Sequence, residues 1–204
     1  MGTSPVQQVF INCPFDSQYQ SLFEAIVFAV SICGFNPRCA LEIDDGSQAR
    51  IEKIFAIIGD CRFGIHDISK TELDGATHLP RFNMPLELGI FLGAKKFGQG
   101  RQREKVCLIF DREKYRYQKF ISDLSAYDIR AHGDDPRTAI LQIRKWLQTS
   151  DRLLRLPGGE AIADRYGFFR KELPALCLDL QLSPDELTFI DYTWIVKAWL
   201  DQNP

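Results

Sequence analysis

A chain of 204 residues has the length of one domain, or of one domain with an extension. Hydrophobic residues make up 45% of it and charged residues 25%, which is typical of folded globular chains and excludes disordered, collagen-like and coiled-coil proteins. The formal net charge of −2 argues against a protein that holds nucleic acid by bulk electrostatics, so we expect no nucleic-acid partner.

Targeting signals and cysteine spacing indicate the compartment. No stretch approaches the roughly 18 consecutive apolar residues that a membrane-spanning helix needs, and the opening MGTSPVQQ lacks a basic-then-apolar leader. None of the six cysteines forms a CxxC pair, and most lie in apolar runs, where cysteine behaves as a small hydrophobic residue. We therefore expect a cytoplasmic protein with buried reduced thiols, no membrane partner and no metal site.

Short apolar runs alternate with helical patterns along the first 150 residues. The β-runs are VQQVFINC, PRCALEI, RFGIHDIS, REKVCLIFD and a short one at YDIR, at 6–13, 37–43, 62–69, 103–111 and 127–130. Helical spacing follows each of them, including a helix capped by Asn83 and another from Tyr117 to Leu124. This alternation predicts an α/β fold: a doubly wound, mostly parallel five-stranded sheet of the flavodoxin-like type.

The last fifty residues differ from this pattern. Pro157-Gly158-Gly159 interrupts the chain, and two helical stretches follow, from Glu160 to Leu180 and from Pro184 to Leu200. We therefore predict an α/β domain over 1–152 and a helical extension over 153–204. The extension either packs on the sheet domain or builds a dimer.

Two tryptophans of the last helix bear on that choice. The spacing of Leu187, Ile190, Trp194 and Ala198 predicts the buried face of this helix. Trp199 lies five positions after Trp194 and is turned about 140° away from it in a helix of 3.6 residues per turn. An exposed tryptophan is typical of an interface, so we expect a homodimer.

The helix that begins near Asn83 carries the most unusual feature of the sequence. From 85 to 94 it reads PLELGIFLGA, in which Glu87 is the one charged residue. So apolar a helix is expected to be buried nearly all round, and Gly89 and Gly93 would let another backbone approach closely. Glu87, in the first turn, should then lie at the carboxyl edge of the sheet with little water around it.

Two opposing effects act on a carboxylate in that position. Burial raises its pKa, while the helix N-terminus favours its anion. An ionised, poorly hydrated carboxylate is suited to act as a nucleophile or to stabilise an oxocarbenium ion. Alternatively, Glu87 pairs with a buried arginine such as Arg50 or Arg62 and simply holds the helix in place.

Other candidates follow the strands, where ligands of doubly wound sheets bind. Asp67 ends the third β-run and either accepts ribose hydroxyls or caps the next turn. Asn12, Phe15 and Asp16 form a loop that either holds a base by stacking and a phosphate by backbone amides, or is an ordinary strand-to-helix turn. The predicted nucleotide-binding set is completed by two residues at the same edge, Ser69 and Asn83.

The remaining signals are structural or absent. We expect His66 to be a satisfied core histidine that faces a helix, and the basic run from Lys95 to Lys105 to be solvated surface at the amino edge. The sequence contains no GxGxxG, no GxxxxGK[ST] and no GxSxG motif. These absences exclude a Rossmann fingerprint, a Walker loop and a serine nucleophile elbow.

Three segments resemble known families. VFINCPFD resembles the opening strand of Toll/interleukin-1 receptor (TIR) domains. RFNMPLELG is similar both to the glutamate-leucine helix of TIR domains and to the glutamate-glycine helix of nucleoside 2-deoxyribosyltransferases. CRFGIHDIS resembles the third strand of the latter family, which ends in a sugar-binding aspartate. The resemblance covers about 6–150 and none of the C-terminal helices.

Both families act at an N-glycosidic bond: TIR enzymes release nicotinamide from NAD, and the transferases exchange nucleobases through a covalent sugar intermediate. The resemblance implies that Glu87 is the catalytic carboxylate and Asp67 a ribose contact, and that Asn12, Phe15 and Asp16 line the nucleotide pocket. Where many TIR enzymes have a serine and a tryptophan-cysteine before the glutamate, this chain has FNMP, at 82–85.

The sequence thus predicts a domain that binds a small-molecule nucleotide or nucleoside and cleaves or transfers its N-glycosidic bond. NAD and nucleoside (mono)phosphates are the candidate substrates, and no cofactor is expected. The alternative is a non-catalytic module that senses nucleotides or recruits proteins, as TIR-like domains do in signalling or defence.

Overall fold

The computed structural model describes residues 7–73, 78–151 and 154–204. Five parallel strands form one sheet in the order β2-β1-β3-β4-β5. The strands are β1 (Gln8–Asn12), β2 (Asn36–Arg38), β3 (Phe63–Asp67), β4 (Val106–Asp111) and β5 (Ile129–Ala131). This is the predicted flavodoxin-like α/β fold, with its switch point between β1 and β3.

Helices cover both faces of the sheet. In the described ranges they are α1 (Gln20–Ile32), α2 (Arg50–Asp60), α3 (Asn83–Phe97), α4 (Pro136–Ser150), α5 (Gly159–Asp179) and α6 (Phe189–Gln202). Val9 and Ile11 of β1 point into a core formed with α1 and α4, whereas Phe10 packs with α2 and α3. Successive strand residues face opposite sides, so both layers are anchored by the same strand.

Two predicted elements differ from the observed ones. The run at 37–43 is a strand only as far as Arg38, and Ala40–Glu42 forms a 3₁₀ turn closed by the Arg38–Glu42 ion pair. The helix predicted from Tyr117 to Leu124 is replaced by the 3₁₀ turns Arg116–Lys119 and Ser122–Ala126. The extended backbone of Ile121, with ψ of 66°, separates these two turns and prevents a continuous helix.

The C-terminal helices α5 and α6 pack on α1 and α4 and share one apolar core with them. The predicted buried face of α6 is wrong. Trp199 is only 6% exposed and packs against Phe28 and Phe169, while Trp194 is 57% exposed. Helical periodicity fits either face, and the aromatic partners on α1 and α5 select the one that carries Trp199. The buried residues of α6 are Phe189, Tyr192, Ile195, Val196 and Trp199.

Helix α3 is buried on one face rather than nearly all round. Leu86 is 56% exposed and Phe97 is 83% exposed. A Cβ atom built on Gly89 or Gly93 meets nothing within 4 Å, so in the described part of the chain no backbone approaches these glycines. A largely apolar composition does not bury a helix all round when the domain provides only one surface for it to pack on.

The cysteines and the helices bear on two expectations from the sequence: buried reduced thiols, and no membrane-spanning helix. The six cysteines are free thiols, of which five are buried and Cys107 is half-buried. None of the helices in the described ranges combines the length and apolar composition that a bilayer span requires.

The basic run before β4 ends in a buried lysine, which corrects the prediction of a solvated surface. Lys105 is 1% exposed, and its ammonium donates to the carbonyl oxygens of Ile58 and Cys61 at the end of α2. The same ammonium lies 4.8 Å from the ring centre of Phe91 in α3. A cation at a helix C-terminus is favourable, so Lys105 links α2, α3 and the start of β4.

We expect Lys105→Met to destabilise the fold by about 2–3 kcal/mol, because two buried carbonyl oxygens lose their donor. Chemical denaturation with unchanged buffer and pH measures this loss. The matched control is Lys96→Met, which removes an exposed lysine of α3 and should leave the free energy of unfolding unchanged. Equal stability of both variants would contradict the linking role of Lys105.

Candidate functional site

Helix α3 brings Glu87 to the carboxyl edge of the sheet. Pro85 is tolerated in the first turn because the first N–H groups of a helix have no intrahelical acceptor. Asn83 does not cap this helix as predicted: the cap position is Phe82, which makes no side-chain cap bond, and Asn83 is an exposed first residue. The start of α3 is fixed instead by a bond from the strand β1.

That bond comes from Asn12, the last residue of β1. Its side-chain amide donates to the carbonyl oxygen of Met84 at 2.8 Å and lies 3.1 Å from His66 Nδ1. Asn12 is only 2% exposed, so this amide nitrogen is already bound within the protein. Asn12 therefore holds the first turn of α3 against the sheet, directly before Glu87.

His66 is buried on the α3 side of β3, as the sequence predicts, but it is not fully satisfied. Its Nδ1 atom accepts from Asn12, and its Nε2 atom has no hydrogen-bond partner. The ring stands edge-on to Phe91 with 4.8 Å between the ring centres, where Gly64 leaves room for both rings. Burial, with a contribution from Lys105, lowers the pKa of His66 to about 3, so the ring is neutral.

Glu87 is 4% exposed. Burial raises its pKa to about 7, and the guanidinium of Arg50 offsets only part of this effect. Arg50 Nη2 lies 3.6 Å from Glu87 Oε1, which is longer than a hydrogen bond, and the Arg50 side chain is 51% exposed. Of the two arginines considered from the sequence, Arg62 instead packs over Phe63.

The pKa of the Cys13 thiol is affected by three carboxylates near the carboxyl edge of the sheet. Burial raises the pKa of Cys13, and the carboxylates of Asp67, Glu87 and Asp16 raise it further. Cys13 is therefore a neutral thiol. The three carboxylates, which belong to different segments, all act on the residue that follows β1.

Asp67 is not the hydrated crevice residue that the sequence predicts. It is fully buried, and its Oδ2 atom accepts the Tyr19 hydroxyl at 2.5 Å and lies 2.9 Å from His132 Nε2. Its Oδ1 atom accepts the backbone N–H of Ser69 at 2.7 Å. Although burial raises the pKa of Asp67, these bonds outweigh it and hold the pKa below its ordinary value.

The hydrogen bond that His132 Nδ1 makes shows which nitrogen of the ring is turned toward Asp67. His132 Nδ1 accepts the backbone N–H of Asp134 at 2.9 Å, which places a ring proton on Nε2, 2.9 Å from Asp67 Oδ2. Neither Tyr19 nor His132 is among the residues predicted from the sequence. His132 directly follows β5 at the ligand-binding edge, which was the available signal; Tyr19 gave none.

An ion pair between Arg116 and Asp111 fixes the start of the loop after β3. Arg116 Nε donates to Asp111 Oδ1 at 2.8 Å, and Arg116 Nη2 donates to the carbonyl oxygens of Ile68 and Ser69. Ser69 is 4% exposed, and its backbone carbonyl oxygen is the atom that binds Arg116. The end of β4 thereby holds the segment that leads toward α3.

Phe15 and Asp16, the two residues of the loop after β1 that were predicted to bind a nucleotide, face different sides. Phe15 packs edge-on against Phe23 of α1, with 5.4 Å between ring centres, and belongs to the α1 side. Asp16 accepts the Tyr19 backbone N–H at 3.1 Å and faces a cleft.

This cleft has a volume of about 400 Å³, within the range of small-molecule sites. The loops after β1 and β3 form it. Its lining residues are Asp16, Ser17, Gln18, Lys70, Glu72, Leu73 and Arg81. Of the residues predicted from the sequence to bind a nucleotide, Asp16 alone is among them.

No protein-family model and no curated protein matches this chain. The likeness to TIR domains and deoxyribosyltransferases is therefore carried by the three short motifs alone.

Proposed function

We propose that this chain binds a nucleotide or nucleoside at the carboxyl edge of its sheet and cleaves or transfers the N-glycosidic bond with Glu87. One observation carries the proposal: a carboxylate that is 4% exposed stands in the first turn of a helix at the switch point, without a hydrogen-bonded cation. NAD and nucleoside monophosphates remain the candidate substrates.

The reaction requires a group that responds to positive charge on the sugar. When the C1′–N bond breaks, its electron pair leaves with the base, and C1′ becomes electron-poor. The Glu87 carboxylate stabilises this cation or donates a lone pair to C1′ to form a glycosyl ester. Water completes hydrolysis, and a second base completes transfer. Poor hydration strengthens the electrostatic effect of the carboxylate.

The cost of burying Glu87 favours this function over a purely structural ion pair. A carboxyl whose pKa is raised to about 7 disfavours its own ionisation in the folded state, so the Arg50 contact does not repay the burial. A residue that only held α3 in place would be more stabilising as a neutral side chain. Charges that reduce stability are characteristic of active sites.

Asn12, Asp67, Tyr19 and His132 support the site as positioning residues. Their polar atoms bond one another or the backbone, and they are at most 3% exposed. The role we propose for Asp67 is to fix the ends of β3 and β5 beside α1. A ribose contact would require its present bonds to open.

The direct test is a search for released base. The purified chain is incubated separately with NAD, with each nucleoside 5′-monophosphate, and with pairs of a deoxynucleoside and a free base, and the products are separated by chromatography. We expect a base or an exchanged nucleoside from at least one of them. Absence of product from all of them would overturn the catalytic proposal.

The alternative function, a protein-interaction module without turnover, is favoured by the open side of α3. Leu86 and Phe97 are exposed there, and Phe82, next to the helix start, is 62% exposed. Exposed apolar side chains grouped on one helix mark interaction surfaces. Product-free incubations together with specific capture of a protein partner on this face would support this alternative.

We also propose that the chain is a homodimer, with Trp194 in place of Trp199 at the interface. Trp194 and Ile190 are 57% and 54% exposed on the same side of α6. We expect a dimeric mass in light scattering at micromolar concentration. Trp194→Glu should give a monomer that still folds, because the Trp194 side chain is exposed within a single chain.

The matched variant for this measurement is Phe97→Glu, which charges an equally prominent aromatic residue on the opposite face of the sheet. It should remain dimeric. A monomeric wild-type chain would overturn the dimer, and a monomer produced by Phe97→Glu alone would move the interface to α3.

A further inference from the structure

We propose that the cleft between the loops after β1 and β3 holds the 5′-phosphate of the substrate, and that Lys70 distinguishes nucleotides from nucleosides. This inference rests on the proposed function, since the cleft adjoins the same edge of the sheet. Its volume of about 400 Å³ is lined by two cationic side chains, Lys70 and Arg81, and by one apolar residue, Leu73. Such a lining suits a polar, charged group better than a nucleobase.

Lys70 connects the two loops and keeps donor capacity. Its ammonium donates to Gln18 Oε1 at 2.7 Å and lies 3.8 Å from Asp16 Oδ2. An ammonium has three donors, and these two neighbours take at most two of them. The Lys70 side chain is 29% exposed, so a ligand in the cleft can reach it.

The carboxylates in the lining are compatible with a phosphate. Glu72 is paired with Arg112, and Arg116 Nη1 lies 3.9 Å from it. Arg112 also contacts Glu113 and Asp134, so its charge is shared among three acids. Asp16 is partly exposed beside Lys70. Carboxylates and amides accept hydroxyl groups, whereas phosphate oxygens bind ammonium and guanidinium groups.

A sugar phosphate satisfies both kinds of lining group. Its phosphate oxygens accept from Lys70, and its hydroxyls donate to Asp16 or Gln18. A free nucleoside offers no anion to Lys70. Asp16 of the cleft follows β1, and Asn12 at the end of β1 holds the first turn of α3, so the cleft and Glu87 adjoin the same strand end. The phosphate and C1′ would thus both lie near this strand end.

Calorimetric titration tests the inference with the four ribonucleoside 5′-monophosphates and their four nucleosides as probes. The titrations use Glu87→Gln, in which turnover is expected to be too slow to disturb the heat signal. We expect at least one monophosphate to bind about tenfold or more tightly than its nucleoside, which is the effect of a charged hydrogen bond. If no probe binds, or if nucleosides bind as tightly as monophosphates, the inference is wrong.

Substitutions of Lys70 assign the effect to this residue. Lys70→Gln in the same background should weaken monophosphate binding about tenfold and leave nucleoside binding unchanged, while Lys70→Arg should restore most of it. Lys96→Gln, an exposed lysine on α3, is the matched control and should change neither affinity. An equal loss for both probe classes, or no loss for either, would overturn the role of Lys70.

The two proposals fail in different ways. Phosphate-dependent binding that Lys70→Gln removes, with no base released by the wild-type chain from any compound, would refute catalysis and retain the phosphate site. Equal release of base from nucleosides and from their monophosphates by the wild-type chain would retain catalysis and refute the phosphate site.

Discussion

Glu87→Gln should reduce base release about 10³-fold or more while the chain still folds and binds its substrate. Glutamine keeps the volume of the side chain but has neither the charge that stabilises an electron-poor C1′ nor a nucleophilic oxygen. Because that charge acts more strongly on the transition state than on the bound substrate, the loss should fall on kcat rather than on binding. Single-turnover kinetics and titration separate these two effects.

The same substitution should stabilise the fold at alkaline pH. Because the folded-state pKa of Glu87 is raised from 4.5 to about 7, the folded chain binds an additional proton between these values. Wild-type stability therefore decreases as the pH rises through this window, whereas the glutamine variant does not titrate. We expect Glu87→Gln to gain about 1–3 kcal/mol at pH 8 and nothing below pH 4.

Glu52→Gln is the matched control. Glu52 is an exposed carboxylate in the first turn of α2, so both its turnover and its melting temperature should equal those of the wild type. A melting temperature that falls in Glu87→Gln at every pH would identify Glu87 as half of a structural ion pair with Arg50. Unchanged base release would place the chemistry elsewhere.

The pH dependence of turnover follows from the same ionisation. Glu87 acts as an anion, so turnover should fall as the pH drops through about 7. The residual activity of Glu87→Gln should lack this acidic limb. A wild-type profile that stays flat between pH 5 and 8 would contradict a catalytic carboxylate with this pKa.

Asp67→Ala should lower the stability of the fold far more than any substitution of an exposed residue. It leaves the Tyr19 hydroxyl and the Ser69 backbone N–H without their acceptor inside the protein, and it removes the carboxylate that lies 2.9 Å from His132 Nε2. We expect a loss of about 3–5 kcal/mol, because several buried donors lose their partner at once. For a chain of this size, the melting temperature falls by about 10 °C.

This loss should depend on pH in a defined direction. The folded-state pKa of Asp67 is held below its ordinary value of 3.8, so its stabilising effect is present above that value and is lost as the pH falls through the lower folded-state pKa. Melting curves of Asp67→Ala and wild type should differ at pH 7 and approach each other near the acid limit.

Asp128→Ala provides the comparison for these melting curves. Asp128 precedes β5, and its side chain is 87% exposed, so its removal should leave the melting temperature unchanged. If Asp67→Ala has the same melting temperature as the wild type and Asp128→Ala, then Asp67 is hydrated in solution, and its contacts with Tyr19 and His132 do not stabilise the fold.

The sequence by itself determined the order of the five strands, all the α-helices except the one wrongly predicted at 117–124, and the edge at which Glu87 lies. Alternating apolar runs and helical spacing are local properties, and parallel strands bring their carboxyl ends to one edge whatever the loops do. The burial of Glu87 was predicted from the apolar composition of α3, and Glu87 lies on the one face of that helix that is buried.

Only the tertiary structure decided which polar residues meet and which helix faces are covered. Asp67, Tyr19 and His132 belong to three segments far apart in the chain, and their bonds depend on where the loops place each atom. Lys105 is buried because carbonyl oxygens at the C-terminal end of α2 accept hydrogen bonds from its ammonium. Trp199 is covered and Trp194 exposed because α1 and α5 present aromatic rings to one side of α6. Periodicity identifies faces, whereas the choice among them is made by partners distant in sequence.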